Sequence, residues 1–247
     1  MKISGFLRET FLDYPGKLAC EIFTSGCNFR CPACHARKTI YNNKSIPQHK
    51  IFDYIKQRKN WIDGVVVCGG EPTINADLPS FLKDLKRHNV AIKLDTNGSG
   101  FSMLQEILER ELADYVAMDI KGPFMLYRRL TGSEIDERDD FLKGIATVQK
   151  FPDYEYRHTC VPLIEGDRIR WLSQQEIEVM AKYVVDVTQS NSHKFYIQKF
   201  SARDKDEMLD ERFSKENLPP EFWETPPKVI EMAYEILKSY IPNTELR

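Results

Sequence analysis

Six short runs rich in β-branched and aromatic residues recur along this chain, with helically spaced segments between them. The runs cover 18–24, 64–68, 90–94, 115–119, 156–161 and 195–200, most of them bounded by Gly, Pro, Asn or Asp. Leu78, Phe81, Leu82 and Leu85 repeat at i, i+3, i+4 and i+7, and Leu104, Ile107, Leu108 and Leu112 do nearly the same. Ile51, Phe52 and Ile55 mark a helix after the first run. Val229, Ile230, Ala233, Ile236 and Leu237 mark the last one. Ser102-x-x-Gln105 and Ser173-x-x-Glu176 read as capping boxes that start helices. Such alternation predicts an α/β fold with parallel strands and right-handed crossovers. Two architectures satisfy it: a doubly wound sheet, or an open, incomplete barrel of six βα units. Without internal repeats or low-complexity linkers, residues 1–247 are expected to form one domain. It comprises a lead-in over 1–17, a core over about 18–200, and a C-terminal part over 201–247 in which a polar insertion precedes the final helix.

The unusual polar motifs fall at strand ends. A cysteine cluster follows the first run, Gly69-Gly70-Glu71-Pro72 the second and Asp95-Thr96-Asn97-Gly98 the third. Asp119-Ile120-Lys121 ends the fourth, Arg157 and Thr159 lie in the fifth, and Gln198-Lys199 in the sixth. The C-terminal strand ends of parallel α/β folds form the active-site face, so these dispersed motifs are expected to converge.

Cys27, Cys31 and Cys34 form C-x₃-C-x₂-C on one loop. Three thiolates suit three corners of an iron–sulfur cube, leaving one iron open to a substrate or cofactor. The same residues with His35 could make a Cys₃His zinc site. Against zinc, structural sites usually draw on two separated knuckles, and His35 directly follows the last cysteine. The remaining cysteines, Cys20, Cys68 and Cys160, are scattered singly; Cys20 and Cys68 read as core thiols in strands. A disulfide scaffold is not expected. Gly69 and Gly70 would let backbone approach a ligand closely, and Glu71 could pair with a cationic amino group on it. An ordinary tight turn is the alternative. The loop lacks the spacing of nucleotide-phosphate loops.

Formal net charge is −2, which gives no sign of a nucleic-acid or membrane-surface partner. No apolar run approaches the roughly 20 residues of a membrane helix, and Met1-Lys2-Ile3-Ser4-Gly5 carries no apolar leader. A reduced cytoplasm is the expected location. The charge runs 136–140 and 204–216 read as solvated loops.

The cysteine loop followed by Gly-Gly-Glu-Pro resembles the radical S-adenosylmethionine (SAM) superfamily. The likeness extends over most of the chain to the glycyl-radical-enzyme activases. It is carried by Leu12-Asp13-Tyr14-Pro15-Gly16-Lys17, Cys31-Pro32-Ala33-Cys34-His35, Asp95-Thr96-Asn97-Gly98 and Asp119-Ile120-Lys121. The set is most similar to the subgroup that activates anaerobic ribonucleotide reductases. The resemblance implies a partial (β/α)₆ barrel in which Cys27, Cys31 and Cys34 bind a [4Fe–4S] cluster. It implies that SAM chelates the fourth iron and that Gly69, Gly70 and Glu71 hold its amino group. Asp95, Thr96 and Asp119 match positions around the SAM carboxylate and a monovalent cation, within the Asp95-Thr96-Asn97-Gly98 segment and its neighbour. Lys121 would neutralise the SAM carboxylate, and Arg157 aligns with a basic residue near the cofactor. For Asp95 and Asp119 the alternative is helix N-capping; for Lys121 and Arg157 it is a surface salt bridge.

The implied reaction is one-electron cleavage of SAM to a 5′-deoxyadenosyl radical, which takes hydrogen from a glycine of a partner glycyl-radical enzyme. A flavodoxin- or ferredoxin-type protein would supply the electron. A small-molecule reaction, as in 7-carboxy-7-deazaguanine synthases, is the runner-up, and a non-enzymatic zinc or iron–sulfur scaffold the remote third. Two positions depart from the family pattern. Ala36 stands where an asparagine follows the family's Cys-His, and Gln198-Lys199-Phe200-Ser201 offers no late histidine. No second cluster's cysteines are present, which argues against activases with a ferredoxin-like insert.

Overall fold

The computed structural model describes residues 1–133 and 138–247. Seven parallel strands and one antiparallel edge strand form a single sheet, and their order settles the architecture. β1 (Ile3–Thr10) pairs antiparallel with β2 (Ala19–Thr24). From there β3 (Gly64–Gly69), β4 (Ala91–Thr96), β5 (Tyr115–Asp119), β6 (Asp153–Cys160), β9 (Phe195–Lys199) and β10 (Thr244–Leu246) add in sequence order, all parallel. A doubly wound sheet reverses direction at a switch point; this one never does. The crossovers therefore all lie on one face, and the sheet curls into a partial barrel. β7 (Leu163–Glu165) and β8 (Arg168–Arg170) form a separate hairpin. The predicted lead-in over 1–17 thus holds an edge strand in addition to the six expected from the sequence.

The helices show why the apolar spacing was informative. α1 (Arg37–Ile40) and α2 (Gln48–Gln57) follow β2, α3 (Leu78–Lys86) follows β3, and α4 (Phe101–Glu109) follows β4. α5 (Tyr127–Thr131) and α6 (Arg138–Val148) lie between β5 and β6, α7 (Gln174–Thr188) precedes β9, and α8 (Pro227–Tyr240) precedes β10. In α3 the stripe Leu78, Phe81, Leu82 and Leu85 is buried, joining the main apolar cluster between helices and sheet. Ser173 forms the expected capping box, its hydroxyl accepting from the Glu176 amide. The box expected at Ser102 does not form: α4 starts two residues earlier than it would require, at Phe101, with Gly100 as its N-cap. Of the charge run 136–140, residues 136 and 137 lie outside the described residues, and 138–140 open α6.

The concave face of the sheet carries charge. Strand alternation puts Ile92 and Leu94 of β4 toward the helices and Lys93 and Asp95 inward. Below them Glu155 is fully buried, accepting from Tyr115 Oη at 2.6 Å and from Arg247 Nη1 at 2.8 Å and Nη2 at 3.1 Å. Arg247 also lies 3.8 Å from the Tyr196 ring centroid. Arg247→Ala would leave the Glu155 carboxylate buried without its cation. We expect a loss of about 2–3 kcal/mol, below the range for a fully buried pair because Arg247 is partly exposed. Urea unfolding should show it, and Arg247→Lys should recover part of it.

Candidate active site

The chain leaves β2 at Thr24 and turns through Gly26 into the cysteine loop. Backbone hydrogen bonding fixes that loop before any cofactor is considered. The Cys34 amide donates to the Cys31 carbonyl at 3.0 Å, and the Arg30 amide donates to the Thr131 carbonyl at 2.6 Å. The sulfurs also accept: Cys27 Sγ from the Phe29 amide at 3.3 Å, and Cys34 Sγ from the Ala36 amide at 3.4 Å. Asn97 Nδ2 stands 3.9 Å from Cys27 Sγ and donates to Asn28 Oδ1 at 3.0 Å. Burial pushes the Cys27 thiol up to about 11 and that of Cys31 to about 12. Free of metal they are neutral at pH 7, so metal binding must release protons. Among the described residues no three His, Cys, Asp or Glu side chains close on a single metal ion.

The double glycine is required by the cysteine loop itself. Gly69 has φ +112, and a Cβ there would lie 2.4 Å from the Thr24 nitrogen; one on Gly70 would lie 1.6 Å from the Gly26 carbonyl oxygen. Only residues without side chains let the ends of β2 and β3 touch. The Gly70 amide donates to Thr24 O and the Glu71 amide to Gly26 O, both at 2.9 Å. Glu71, expected to hold a ligand's amino group, is fully buried and does not face the cavity. Its carboxylate accepts from the Thr73 amide and hydroxyl, the Thr96 hydroxyl and the Asn97 amide, at 3.0, 2.6, 2.8 and 2.6 Å. Those four donors tie the ends of β3 and β4 together.

All the other sequence-predicted site residues line one cavity of about 580 Å³ at the C-terminal strand ends. Cys27, Cys31 and Cys34 face Gly69 and Gly70, with Asp95, Thr96, Asn97, Asp119, Lys121 and Arg157 around them. Its volume suits a small-molecule site. Neither aspartate caps a helix. Arg157 lies between them, donating from Nη1 to Asp95 at 2.6 Å and from Nε to Asp119 at 2.9 Å. Lys93 pairs with Asp95, and Lys121 Nζ donates to Asp119 at 2.8 Å. The guanidinium thus stands between the two carboxylates for which the resemblance implies a monovalent cation. Thr96 spends its hydroxyl proton on Glu71, so its visible role is in the scaffold.

The structure corrects the reading of 204–216 as a solvated loop. Residues 201–226 form a strap with its own small core of Met208, Phe213 and Leu218, packed with Phe200 and Ala202 and against Ala33 of the cysteine loop. Thr225 roots it: the hydroxyl donates to Cys160 O at 2.8 Å and accepts from the Phe200 amide at 2.7 Å. The strap then grips the cysteine loop, the Leu209 amide donating to Cys34 O at 2.7 Å and the Arg37 amide to Glu207 O at 3.3 Å. Arg203 of the strap, with Lys199 and Ser201, reaches the cavity. The composition of the stretch hid these residues; its spaced large apolar side chains were the available signal. Met208→Ala removes a fully buried side chain. A loss of about 2 kcal/mol, the low end for such a truncation, should speed exchange of the Leu209 and Arg37 amides about 30-fold by hydrogen-exchange mass spectrometry.

A partial parallel barrel with three thiols and a double-glycine turn at its strand ends defines a cofactor-dependent enzyme barrel. The model of the radical SAM superfamily matches residues 22–163. The chain belongs to that superfamily and is a radical SAM enzyme. It is 31% identical over 253 aligned positions to a Methanocaldococcus jannaschii protein named "putative glycyl-radical enzyme activating enzyme", covering 99% of this chain and 95% of that one. It is 28% identical to the 7-carboxy-7-deazaguanine synthase of Thermoplasma acidophilum, over 44% of this chain and 50% of that one. Among solved structures, Streptococcus suis SuiB bound to S-adenosylmethionine superposes with a TM-score of 0.60 at 15% identity, over 92% of this chain and 49% of SuiB. That likeness is one of fold, and the chain spans about half of SuiB. Superfamily membership implies a [4Fe–4S] cluster and SAM as cofactors. Among the described residues no helix is long and apolar enough to cross a membrane.

Proposed function

We propose that this protein is a glycyl-radical-enzyme activase, which abstracts a hydrogen atom from a glycine Cα of a partner enzyme. The observation that carries the reading is the near full-length similarity to a protein bearing that name. The match to the deazaguanine synthase covers less than half of the chain and does not favour the small-molecule alternative. The half-open cavity is consistent with entry of a polypeptide loop.

The donor set fits the implied cofactors: three soft thiols on one loop, beside a turn where only glycine can sit. Cys27, Cys31 and Cys34 would hold the cluster, and the backbone at Gly69 and Gly70 the methionyl amino group. Lys121 and Arg157 would counter the methionyl carboxylate, with Asp95 and Asp119 fixing both cations in place. Bound there, cluster and SAM supply one-electron cleavage of a sulfur–carbon bond and a carbon radical that takes hydrogen. The protein orients these groups and shields them; Phe23, Phe29 and Phe200 give the cavity apolar walls. Asn97 and the Phe29 and Ala36 amides direct N–H groups at the sulfurs, a hydrogen-bonding pattern that tunes such clusters. An electron-transfer protein of the flavodoxin or ferredoxin type would reduce the cluster.

Anaerobic reconstitution with iron and sulfide, then SAM, reductant and a glycine-deuterated segment of a candidate partner, tests the reading. Deuterium in the product 5′-deoxyadenosine supports it. Deuterium transferred instead from a labelled small molecule, with none from the glycine, overturns it.

A further inference from the structure

Charge in the cavity is unbalanced, and the imbalance lies at one wall. Four cationic side chains face it, Lys121, Arg157, Lys199 and Arg203, against the two carboxylates of Asp95 and Asp119. The inner pair is committed, Arg157 to both carboxylates and Lys121 to Asp119. Lys199 and Arg203 differ. Both are exposed, and among the described residues neither side chain makes a hydrogen bond or an ion pair.

Their backbone is nonetheless fixed. Lys199 ends β9, and the next amide, that of Phe200, is held by Thr225. The Ala202 amide donates to Trp223 O at 2.7 Å, and Arg203 O accepts from the Lys215 amide at 3.0 Å. The acids of the same stretch, Asp204, Asp206 and Glu207, do not line the cavity. Nor is the surface basic in general, since the whole chain carries −2. Two cations held on the wall of a half-enclosed cavity concentrate anions there. An arginine fork and a lysine point charge lining the same cavity suit a carboxylate or phosphate.

We propose that Lys199 and Arg203 form an acid-recognition pair, so that the substrate presents a carboxylate or phosphate near the carbon that loses hydrogen. This rests on the activase reading and adds the chemistry of its substrate: a glycine-bearing segment with an acidic side chain close to the glycine.

The test uses the reconstituted enzyme with SAM and two end-blocked peptides, Ala-Asp-Ser-Gly-Ser-Asp-Ala and its twin with Asn for Asp. Malonate serves as the small-anion probe. At low ionic strength the acidic peptide should bind about tenfold more tightly than its twin, as one charge-assisted hydrogen bond would give. The double variant Lys199→Met/Arg203→Met should erase that ratio, and Lys199→Arg should keep it. Both sites are exposed, and an unchanged thermal midpoint confirms folding. Twins that bind equally, or a ratio that survives in the double variant, overturn the pair while leaving the activase reading standing. Malonate binding that disappears in the double variant, with neither peptide binding, upholds the pair and removes the polypeptide substrate. A double variant that loses tenfold in SAM affinity with the peptide ratio intact assigns these cations to the cofactor and overturns the proposal.

Discussion

Cys31→Ser is expected to abolish SAM cleavage, with 5′-deoxyadenosine falling by at least about a thousandfold, since the remaining thiols cannot hold the fourth iron open and the other three in place. Serine differs by one atom, so the loop should keep its backbone hydrogen bonds from Cys34 to Cys31 and from Arg30 to Thr131. What changes is the ligand: a hydroxyl is harder than a thiolate and a poor partner for iron–sulfur chemistry. The reconstituted variant should lose the visible absorption of a cluster while its thermal midpoint barely moves. Cys20→Ser is the matched control. Cys20 is fully buried in β2, so its serine should cost about 1–3 kcal/mol for a hydroxyl without a partner and leave iron content unchanged. Iron retained by Cys31→Ser together with SAM cleavage would remove the assignment of the cysteine loop. One zinc per chain with no inorganic sulfide would remove the radical mechanism as well.

Much of the site was legible because its chemistry is local in sequence. Three thiols within eight residues, two adjacent glycines and an aspartate at each of two strand ends are recognisable without knowing how the chain folds. The six core strands were legible for a related reason. β3 is apolar from Val65 to Cys68 and buried on both faces, and such a run has few other places to go. β1 escaped because Ile3–Thr10 mixes charged and apolar residues on a half-exposed edge. β10 has only three residues and gains its place from pairing with β9.

Direction and distance were the illegible quantities. Glu71 reads as a ligand because it follows two glycines, yet its side chain turns away from the cavity toward donors on two strand ends. Arg157 reads as one basic residue near a cofactor. Its partners lie 62 and 38 residues away, and only the parallel register, which sets Asp119 beside Arg157, brings them together. The strap failed for a third reason. Met208, Phe213 and Leu218 follow neither helical nor strand period, so their burial depends on a surface supplied by the cysteine loop and the β7–β8 hairpin.

That register makes Arg157 the residue whose loss should cost most in stability. Its side chain is 13% exposed, and those of Asp95 and Asp119 are 17% and 27% exposed. Burial is the largest single influence on both carboxyls and pushes them up. The attraction of Arg157, joined by Lys93 at Asp95 and by Lys121 at Asp119, overcomes it and holds both below the ordinary value of 3.8. In Arg157→Gln each carboxylate keeps only its lysine against that burial. The expected loss at pH 7 is about 3 kcal/mol, the low end for breaking a buried pair because the lysines remain. The sign of the pH dependence follows from the downward shifts. A carboxyl depressed in the folded state stabilises it above the unfolded value near 4 and loses that contribution as pH falls through the folded value. The gap between wild type and Arg157→Gln should therefore be widest at pH 5–7 and narrow as the pH drops below about 4. Urea titrations at pH 7, 5, 4 and 3 would measure it. A gap that stays constant down to pH 3 would mean that Arg157 stabilises the barrel by packing alone, with its two carboxylates neutralised by the lysines.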